Sequence, residues 1–202
     1  MGRIIEKIKM KINDLIKFVQ YGDLPTSYYV KRGMKVGKNF NRQSGTRLDP
    51  SNCWLITIGD DVNLANKVQI IAHDYSSCKY TEHCRVGRVI IGDRAFIGAN
   101  ATILMNVKIG EDVIVSAGSV VTKDVPDNCV VSGVPAEIVG HTSDFVGWEQ
   151  FQIAKCEKVF DRSYTVFGGA TREKQEEILK YLDEHPGEAA YIKFKFRERL
   201  SY

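Results

Sequence analysis

The chain has 202 residues, of which 44% are hydrophobic, and its formal net charge is +3 at pH 7. This length predicts one domain, or one domain with an appendage, and the apolar fraction supports a core without disulfides or structural metal. The small net charge gives no reason to expect a nucleic-acid partner. No apolar run reaches the roughly 20 residues that span a bilayer, no secretory signal pattern is present, and the five cysteines form no CxxC pair. We therefore expect a soluble, cytoplasmic protein with reduced cysteines.

Residues 3–20 predict an amphipathic helix, which Gly22 and Pro25 end. Its apolar side chains share one face: Ile4, Ile8, Ile12, Leu15, Ile16 and Val19. Lysines occupy much of the remaining surface. Two interpretations stay open, namely a helix packed against the rest of the protein or a partner subunit, and a basic helix resting on an anionic membrane surface.

A six-residue period dominates the middle of the chain. The leading positions are β-branched aliphatic residues: Ile91, Ile97, Ile103, Ile109, Val115 and Val121. Four residues after each comes a small or β-branched residue: Ala95, Ala101, Val107, Val113, Ser119 and Val125. Glycine directly follows three of the leads: Gly92, Gly98 and Gly110. This period fits neither a helix nor a long strand, but it is typical of a chain wound into a triangular prism, a parallel β-helix. We expect the leads to point to the prism axis and the glycines to permit turns at its corners.

The period is also present earlier, at Ile58, Leu64 and Ile70, but it does not run continuously into the later coils. The interval from Ile70 to Ile91 is not a whole number of repeats. The register therefore breaks, and we predict that residues 75–88 leave the prism as a loop. Long loops of this kind usually carry function.

Beyond His141 the period disappears. Residues 171–184 predict a helix with Thr171 as its N-cap and several glutamates near its positive end. The sequence His185-Pro186-Gly187 should end this helix. A second short helix is expected before the charged C-terminal residues.

These patterns predict an all-β core, a parallel β-helix, flanked by helical segments. The expected organisation is an N-terminal helix and linker over residues 1–30, the β-helix over residues 31–140, and a helical C-terminal appendage over residues 141–202.

His73 is the strongest candidate for chemistry, because it stands where the regular strands end and the predicted loop begins. Transfer of an acyl group from a thioester to an alcohol needs a base for the hydroxyl proton. A neutral imidazole suits that task near pH 7, and no covalent acyl-enzyme is needed when the donor is already activated.

Several polar residues are candidates to assist His73. Asp74 is adjacent, and since neighbouring side chains of a strand point to opposite faces, it should serve the loop or the acceptor. Asp49 or Asn41 would come from the preceding coil, where either could orient His73 or bind an acceptor hydroxyl. The alternative for Asp49 is a turn-forming role before Pro50.

The predicted loop supplies further candidates for an acceptor pocket, which the sequence does not rank: Lys79, Tyr80, Glu82 and His83.

Four stretches resemble one known family: IIAHD, the 75–88 interruption, VIIGDRAFIGANATILMNVKIGEDVIVSAGSVVTKDVP, and GVPAEIV. Together they are similar to the left-handed β-helix hexapeptide acetyltransferases, in particular the galactoside/maltose O-acetyltransferase and capsule or exopolysaccharide acetyltransferase branch. The segment LDPSNCW before IxIGD resembles the capsule enzymes. The resemblance covers about residues 36–140.

The resemblance implies a left-handed parallel β-helix, a homotrimer with active sites between neighbouring prisms, and acetyl-CoA as co-substrate. By motif, Ala99 in IGANA and Ala117 in SAGS correspond to positions beside the pantetheine arm. Thr122 and Lys123 in VTKD correspond to positions near the nucleotide end. The basic residues that follow GVPA in some relatives are missing here, and Glu137 follows instead.

The resulting hypothesis is acetyl-CoA-dependent O-acetylation of a saccharide hydroxyl in surface polysaccharide biosynthesis, at the cytoplasmic side of the inner membrane. Acetylation of a nucleotide-linked amino sugar or of an antibiotic stays open because the histidine chemistry is the same. A non-enzymatic β-helix scaffold is the alternative from another class. A zinc enzyme is disfavoured, since a catalytic zinc site takes three protein ligands and only His73 of the four histidines lies in the regular coils.

Overall fold

The computed structural model describes residues 23–194, so the helix expected over residues 3–20 lies outside the described part of the chain. The chain divides into two compact units between Phe145 and Val146.

The first unit is a prism whose three faces are sheets of stacked strands. The first sheet contains β1 (Lys35–Val36), β4 (Ile56–Ile58), β9 (Val89–Ile91) and β12 (Val107–Ile109). The second contains β2 (Asn41–Arg42), β5 (Asn63–Leu64), β10 (Phe96–Ile97), β13 (Ile114–Val115), β15 (Cys129–Gly133) and β16 (Ala136–His141). The third contains β3 (Arg47–Leu48), β6 (Gln69–Ile70), β11 (Thr102–Ile103) and β14 (Val120–Val121). All pairings in these sheets are parallel except that of β15 with β16, so the predicted parallel β-helix is confirmed.

One regular coil takes three repeats of the period, one for each face, since Ile97 pairs with Val115 and Ile103 pairs with Val121. Every predicted lead from Ile91 to Val121 is buried, and so is every partner residue from Ala95 to Val125. Each six-residue repeat therefore places two side chains in the axial core, as expected, and Ser119 is the polar one among them.

The glycines after the leads have a different role from the predicted one. Gly92, Gly98 and Gly110 are absent from the positive-φ residues of the described chain, so they do not provide the left-handed turns. A Cβ on Gly92 would lie 2.6 Å from the carbonyl carbon of Gly110 in the next coil. Glycine is required there because successive backbones approach closely, while the left-handed corner positions belong to residues such as Asn100 and Asp112.

Two insertions make the early coils longer than the regular ones. The coil that joins Leu48 to its partner Ile70 is lengthened by a 3-10 turn at Cys53–Leu55, which lies between the third and first sheets. The coil that joins Ile58 to its partner Ile91 is longer still, because a hairpin leaves the prism after β6. The hairpin consists of the antiparallel strands β7 (His73–Asp74) and β8 (Arg85–Val86), with the short helix α2 (Cys78–Thr81) between them.

Helix α1 (Thr26–Val30) precedes the first coil and contributes Tyr29 to the buried core beside Met34. At the opposite end, β16 folds back antiparallel on β15.

The second unit contains most of helix α3 (Thr142–Lys155), the parallel strand pair β17 (Val159–Asp161) and β18 (Tyr191–Lys193), and helix α4 (Arg172–Glu184). Phe160 and Tyr181 are its buried aromatic residues, with ring centroids 5.5 Å apart. The predicted helix is confirmed by α4, whose N-cap Thr171 accepts a hydrogen bond from the backbone N–H of Lys174. The prediction of a second short helix is wrong, because strand β18 forms in that part of the chain. Within residues 23–194, no helix combines the length and the apolar character needed to cross a membrane.

Candidate active site

His73 lies at the end of the third face of the prism, where the chain leaves β6 and enters the hairpin. Its Nδ1 atom is 2.5 Å from Oδ2 of Asp49, a residue that follows β3 one coil earlier. The stacking of β3 on β6 brings together two side chains that are far apart in the sequence.

Asp49 is held in place by backbone donors on both carboxylate oxygens. Oδ1 accepts from the N–H groups of Ser51 and Asn52, at 3.1 and 3.0 Å, and Oδ2 accepts from the N–H of Ala72 at 2.9 Å. Only 1% of its side chain is exposed. Asp49 therefore both shapes the turn before the 3-10 segment and contacts His73.

This arrangement determines how the imidazole is oriented. An ionised carboxylate only accepts hydrogen bonds, so the proton of neutral His73 resides on Nδ1. The lone pair of the neutral ring is then on Nε2, and 26% of the side chain is exposed. The pair Asp49–His73 thus combines a buried carboxylate with a partly exposed imidazole whose Nε2 can accept a proton.

Tyr75 is a neighbour of His73 that the sequence analysis missed. The two rings meet edge to face with centroids 4.8 Å apart. The pKa of the Tyr75 phenol is raised, chiefly by the adjacent Cys84 thiol, which also forms a hydrogen bond with it. The available signal was the two-residue spacing, which puts both side chains on one side of an extended segment.

Asp74 does not contact His73 through a hydrogen bond and instead belongs to the hairpin. Its carboxylate accepts from the N–H of Ser76 at 2.8 Å and is paired with Arg85. The Ser76 bond first, and then Arg85, lower the pKa of Asp74 to about 2. Asp74 therefore links the two strands of the hairpin through its ion pair with Arg85.

The other acceptor candidates are not brought to the imidazole by hydrogen bonds. Asn41 lies on the second sheet, where its amide donates to the side chain of Asn63 at 3.2 Å. In the hairpin, Tyr80 is 82% exposed, and His83 is exposed with Nδ1 against the carbonyl of Thr81. Of the two residues predicted from the preceding coil, the structure pairs Asp49 with His73.

Ala99 and Ala117 lie one above the other at the corner between the second and third sheets, where the N–H of Gly118 donates to the carbonyl of Ala99. Among the described residues, no group accepts a hydrogen bond from the N–H of Ala99 or Ala117. Gly118 beside them has open space where a Cβ would project. Small side chains and free donors make this corner suitable for a slender chain containing amides.

Thr122 and Lys123 follow β14 and are both exposed. The ammonium of Lys123 lies 3.9 Å from the carboxylate of Glu137, at the edge of salt-bridge distance. An exposed pair of this kind is weak, so Lys123 is accessible to a stronger anion.

Within residues 23–194, no group of three or more His, Cys, Asp or Glu side chains is arranged to hold a metal ion. The five cysteines all lie in this region and all are free thiols.

Residues 88–123 match the family model described as the hexapeptide repeat of succinyl-transferase. Over this segment the chain is similar to hexapeptide-repeat transferases. The matched segment runs from the end of the hairpin to Lys123 and includes the corner formed by Ala99 and Ala117. His73 and Asp49 lie outside it.

Three similar proteins illustrate the resemblance. YvoF of Bacillus subtilis (strain 168), provisionally named an acetyltransferase, is 42% identical over 106 residues, which are 52% of this chain and 59% of that protein. WbbJ of Escherichia coli (strain K12), provisionally named a lipopolysaccharide biosynthesis O-acetyl transferase, is 36% identical over 96 residues, covering 42% and 49%. The solved structure of a maltose O-acetyltransferase from Clostridium difficile 630 is 34% identical, covers 54% of this chain and 59% of that one, and has a TM-score of 0.49. The chain thus spans about half the length of the curated relatives it matches.

Proposed function

We propose that this protein is an acetyl-CoA-dependent O-acetyltransferase that acts on a saccharide hydroxyl, with His73 as the general base. The observation that carries the proposal is the buried Asp49 carboxylate at 2.5 Å from Nδ1 of a partly exposed imidazole. Similarity to proteins named as acetyltransferases supports the reaction class.

The proposed mechanism is direct transfer. Nε2 of His73 removes the proton from an acceptor hydroxyl as its oxygen forms a bond to the acetyl carbonyl carbon. Asp49 stabilises the imidazolium that results. A corner N–H, such as that of Ala99 or Ala117 from a neighbouring subunit, donates to the developing oxyanion. His73 then returns the proton to the sulfur as the carbon–sulfur bond breaks.

Acetyl-CoA, when bound, supplies an acetyl group already activated as a thioester, so the protein needs no nucleophile of its own. The corner at Ala99 and Ala117 fits the pantetheine arm, because its side chains are small and no described residue accepts a hydrogen bond from its N–H groups. At the nucleotide end, Thr122 and Lys123 would contact phosphate, and an ammonium gains a charge-assisted bond there. Glu137 opposes that contact through its proximity to Lys123.

A saccharide is proposed as acceptor because of the similarity to WbbJ, whose name refers to lipopolysaccharide biosynthesis. We place the reaction in surface polysaccharide biosynthesis, in the cytoplasm or at the inner membrane face. The proposed assembly is a homotrimer, in which His73 of one subunit faces the alanine corner of the next. The contact of residues 3–20 with a membrane surface belongs to the same proposal.

N-acetylation is the second candidate reaction. A 2,3,4,5-tetrahydropyridine-2,6-dicarboxylate N-acetyltransferase of Staphylococcus aureus (strain JH9) is 42% identical over 73 residues, covering 36% of this chain and 30% of that protein. His73, in the orientation that Asp49 gives it, would serve equally well as the base for an amine acceptor. The stability of the product distinguishes the two, because an ester is cleaved by mild base and an amide is not.

The test combines binding with transfer. Acetyl-CoA is titrated calorimetrically into the wild-type protein, His73→Ala and the control His185→Ala. Transfer to a panel of saccharides is then followed by mass spectrometry. We expect about one acetyl-CoA site per chain in all three proteins, and transfer about 10²–10⁴-fold slower in His73→Ala alone.

Two results would count against the proposal. Absence of binding at millimolar acetyl-CoA would favour a scaffold or another donor. Unchanged transfer in His73→Ala would remove the imidazole from the mechanism.

A further inference from the structure

A groove of about 300 Å³ lies on the outer side of the third sheet and its corner with the second sheet. It is lined by Gly45, Arg47, Lys67, Gln69 and Asn100. Two of these residues are cations and none is a carboxylate. The lining is therefore positively charged and would attract an anionic ligand.

The cations of the groove have no counter-charge among residues 23–194. Within the described residues, neither Arg47 nor Lys67 takes part in a salt bridge. The carboxylate that bonds to the groove backbone is Asp23, which accepts from the N–H of Gly45 at 3.2 Å. Asp23 is already paired with Arg42 at 2.5 Å and its side chain is only 3% exposed, so it does not neutralise the groove.

The side chain of Lys67 passes over Gly45, at the corner of the prism that the groove includes. A Cβ on Gly45 would lie 3.1 Å from Cγ of Lys67, so the lysine stem passes closely above the glycine of the preceding coil. Gly45, Lys67 and Asn100 all have positive φ, which makes them equivalent corner residues of three successive coils. Glycine at position 45 leaves the space through which the stem of Lys67 passes.

The groove shares its face of the prism with His73. Val68, Ile70 and Ala72 are buried, so the alternating residues Gln69 and His73 project from the opposite side of the backbone. Gln69 precedes His73 by four residues and Arg47 precedes Asp49 by two. At about 3.3 Å per residue, the groove lies within roughly 13 Å of His73 at Gln69 and within roughly 20 Å at Lys67.

We propose that this groove binds an oxyanion, phosphate or carboxylate, carried by the acceptor, so that the substrate class is an anionic saccharide. The assignment rests on the proposed acetyl transfer at His73. The Arg47 guanidinium offers a planar pair of donors and the Lys67 ammonium a point charge, a combination that recognises both oxyanions. A neutral sugar would leave both cations without a partner.

The test uses the full-length protein with glucose 1-phosphate, glucuronate and methyl glucoside as probes. Their affinities are measured by chemical-shift titration, and acetyl transfer to each is measured separately. The variants are Arg47→Gln and Lys67→Gln. The matched control is Lys108→Gln, an exposed lysine on the outer side of the first sheet.

We expect at least one charged probe to bind about tenfold more tightly than methyl glucoside. That preference should fall severalfold in each groove variant, persist in Lys108→Gln, and weaken with added salt. Whether glucose 1-phosphate or glucuronate binds better identifies the oxyanion.

The groove assignment is overturned if charged and neutral probes bind equally, or if the preference survives both groove substitutions. It is also overturned if these substitutions weaken acetyl-CoA binding and leave probe binding intact, because the groove would then hold a phosphate of CoA. Charge-selective binding without transfer to any acceptor would refute the proposed function and leave the oxyanion site standing.

Discussion

The substitution Asp49→Asn tests the proposed orientation of the base, because it changes the chemistry of one buried atom and nearly none of its shape. Oδ2 of Asp49 accepts from the N–H of Ala72 and from Nδ1 of His73. An amide nitrogen in that place would face two donors. Turning the amide over would instead present that nitrogen to the N–H groups of Ser51 and Asn52, which now bond to Oδ1.

Either arrangement is costly. The protein must leave buried N–H groups unsatisfied, at about 1–3 kcal/mol, or His73 must move its proton to Nε2 so that Nδ1 accepts from the new amide. In the second case the lone pair no longer faces the acceptor. We therefore expect kcat to fall about 10²–10⁴-fold, the range attributed to general base catalysis. The Kd for acetyl-CoA should stay unchanged, because the alanine corner is untouched.

The assay has two parts. Steady-state rates are measured from the loss of thioester absorbance, which avoids thiol reagents that would react with the exposed Cys84. The tautomer of His73 is read from ring ¹⁵N shifts, which are tractable because the chain has only four histidines. Asp93→Asn is the matched control, since Asp93 also accepts a backbone N–H from a neighbouring coil, that of Asp60 at 2.8 Å.

Wild-type turnover in Asp49→Asn would refute the orienting role. So would a loss of turnover with the Nδ1–H tautomer retained, or an equal loss in Asp93→Asn.

Three further predictions concern other parts of the molecule. Ala117→Phe should raise the Kd for acetyl-CoA at least about tenfold in calorimetry and leave Tm unchanged, because position 117 is exposed and the ring would occupy the proposed pantetheine path. Asp74 should titrate near pH 2 by carbonyl ¹³C NMR, against an ordinary 3.8. Since its folded pKa is depressed, the stabilisation from the Ser76 hydrogen bonds and from Arg85 is present above about pH 4 and is lost as the pH falls through about 2. Titration at the ordinary value would disprove these contacts. Ile97→Ala should lower the free energy of unfolding by about 2–5 kcal/mol in urea at fixed protein concentration, because Ile97 is fully buried in the axial core; a loss below about 1 kcal/mol would contradict that placement.

The second unit shows where sequence reasoning is weakest. Helix α4 was predictable because its N-cap and charge distribution are local signals, which act within a few residues. Strand β18 was mistaken for a helix because so short a strand has little local signal of its own. Tyr191 to Lys193 form a strand only by pairing with Val159 to Asp161. Helix α4 separates the two strands in the sequence, so no local pattern records their contact.

In the prism, the repeat alone determined the core, because each lead position makes the same axial contact whatever the neighbouring face contains. It also located His73, since a break in a six-residue register can only be accommodated outside the coils. The choice of Asp49 over Asn41 came from tertiary structure. The 3-10 insertion lengthens that coil beyond the regular repeat, and only the completed stack shows which residue lies beside the imidazole. The groove depended on tertiary structure for the same reason, because Arg47, Lys67 and Asn100 belong to three coils of different length. The six-residue period specifies which side chains are buried. The site depends instead on which residues of neighbouring coils lie side by side, and the insertions decide this because they change the length of each coil.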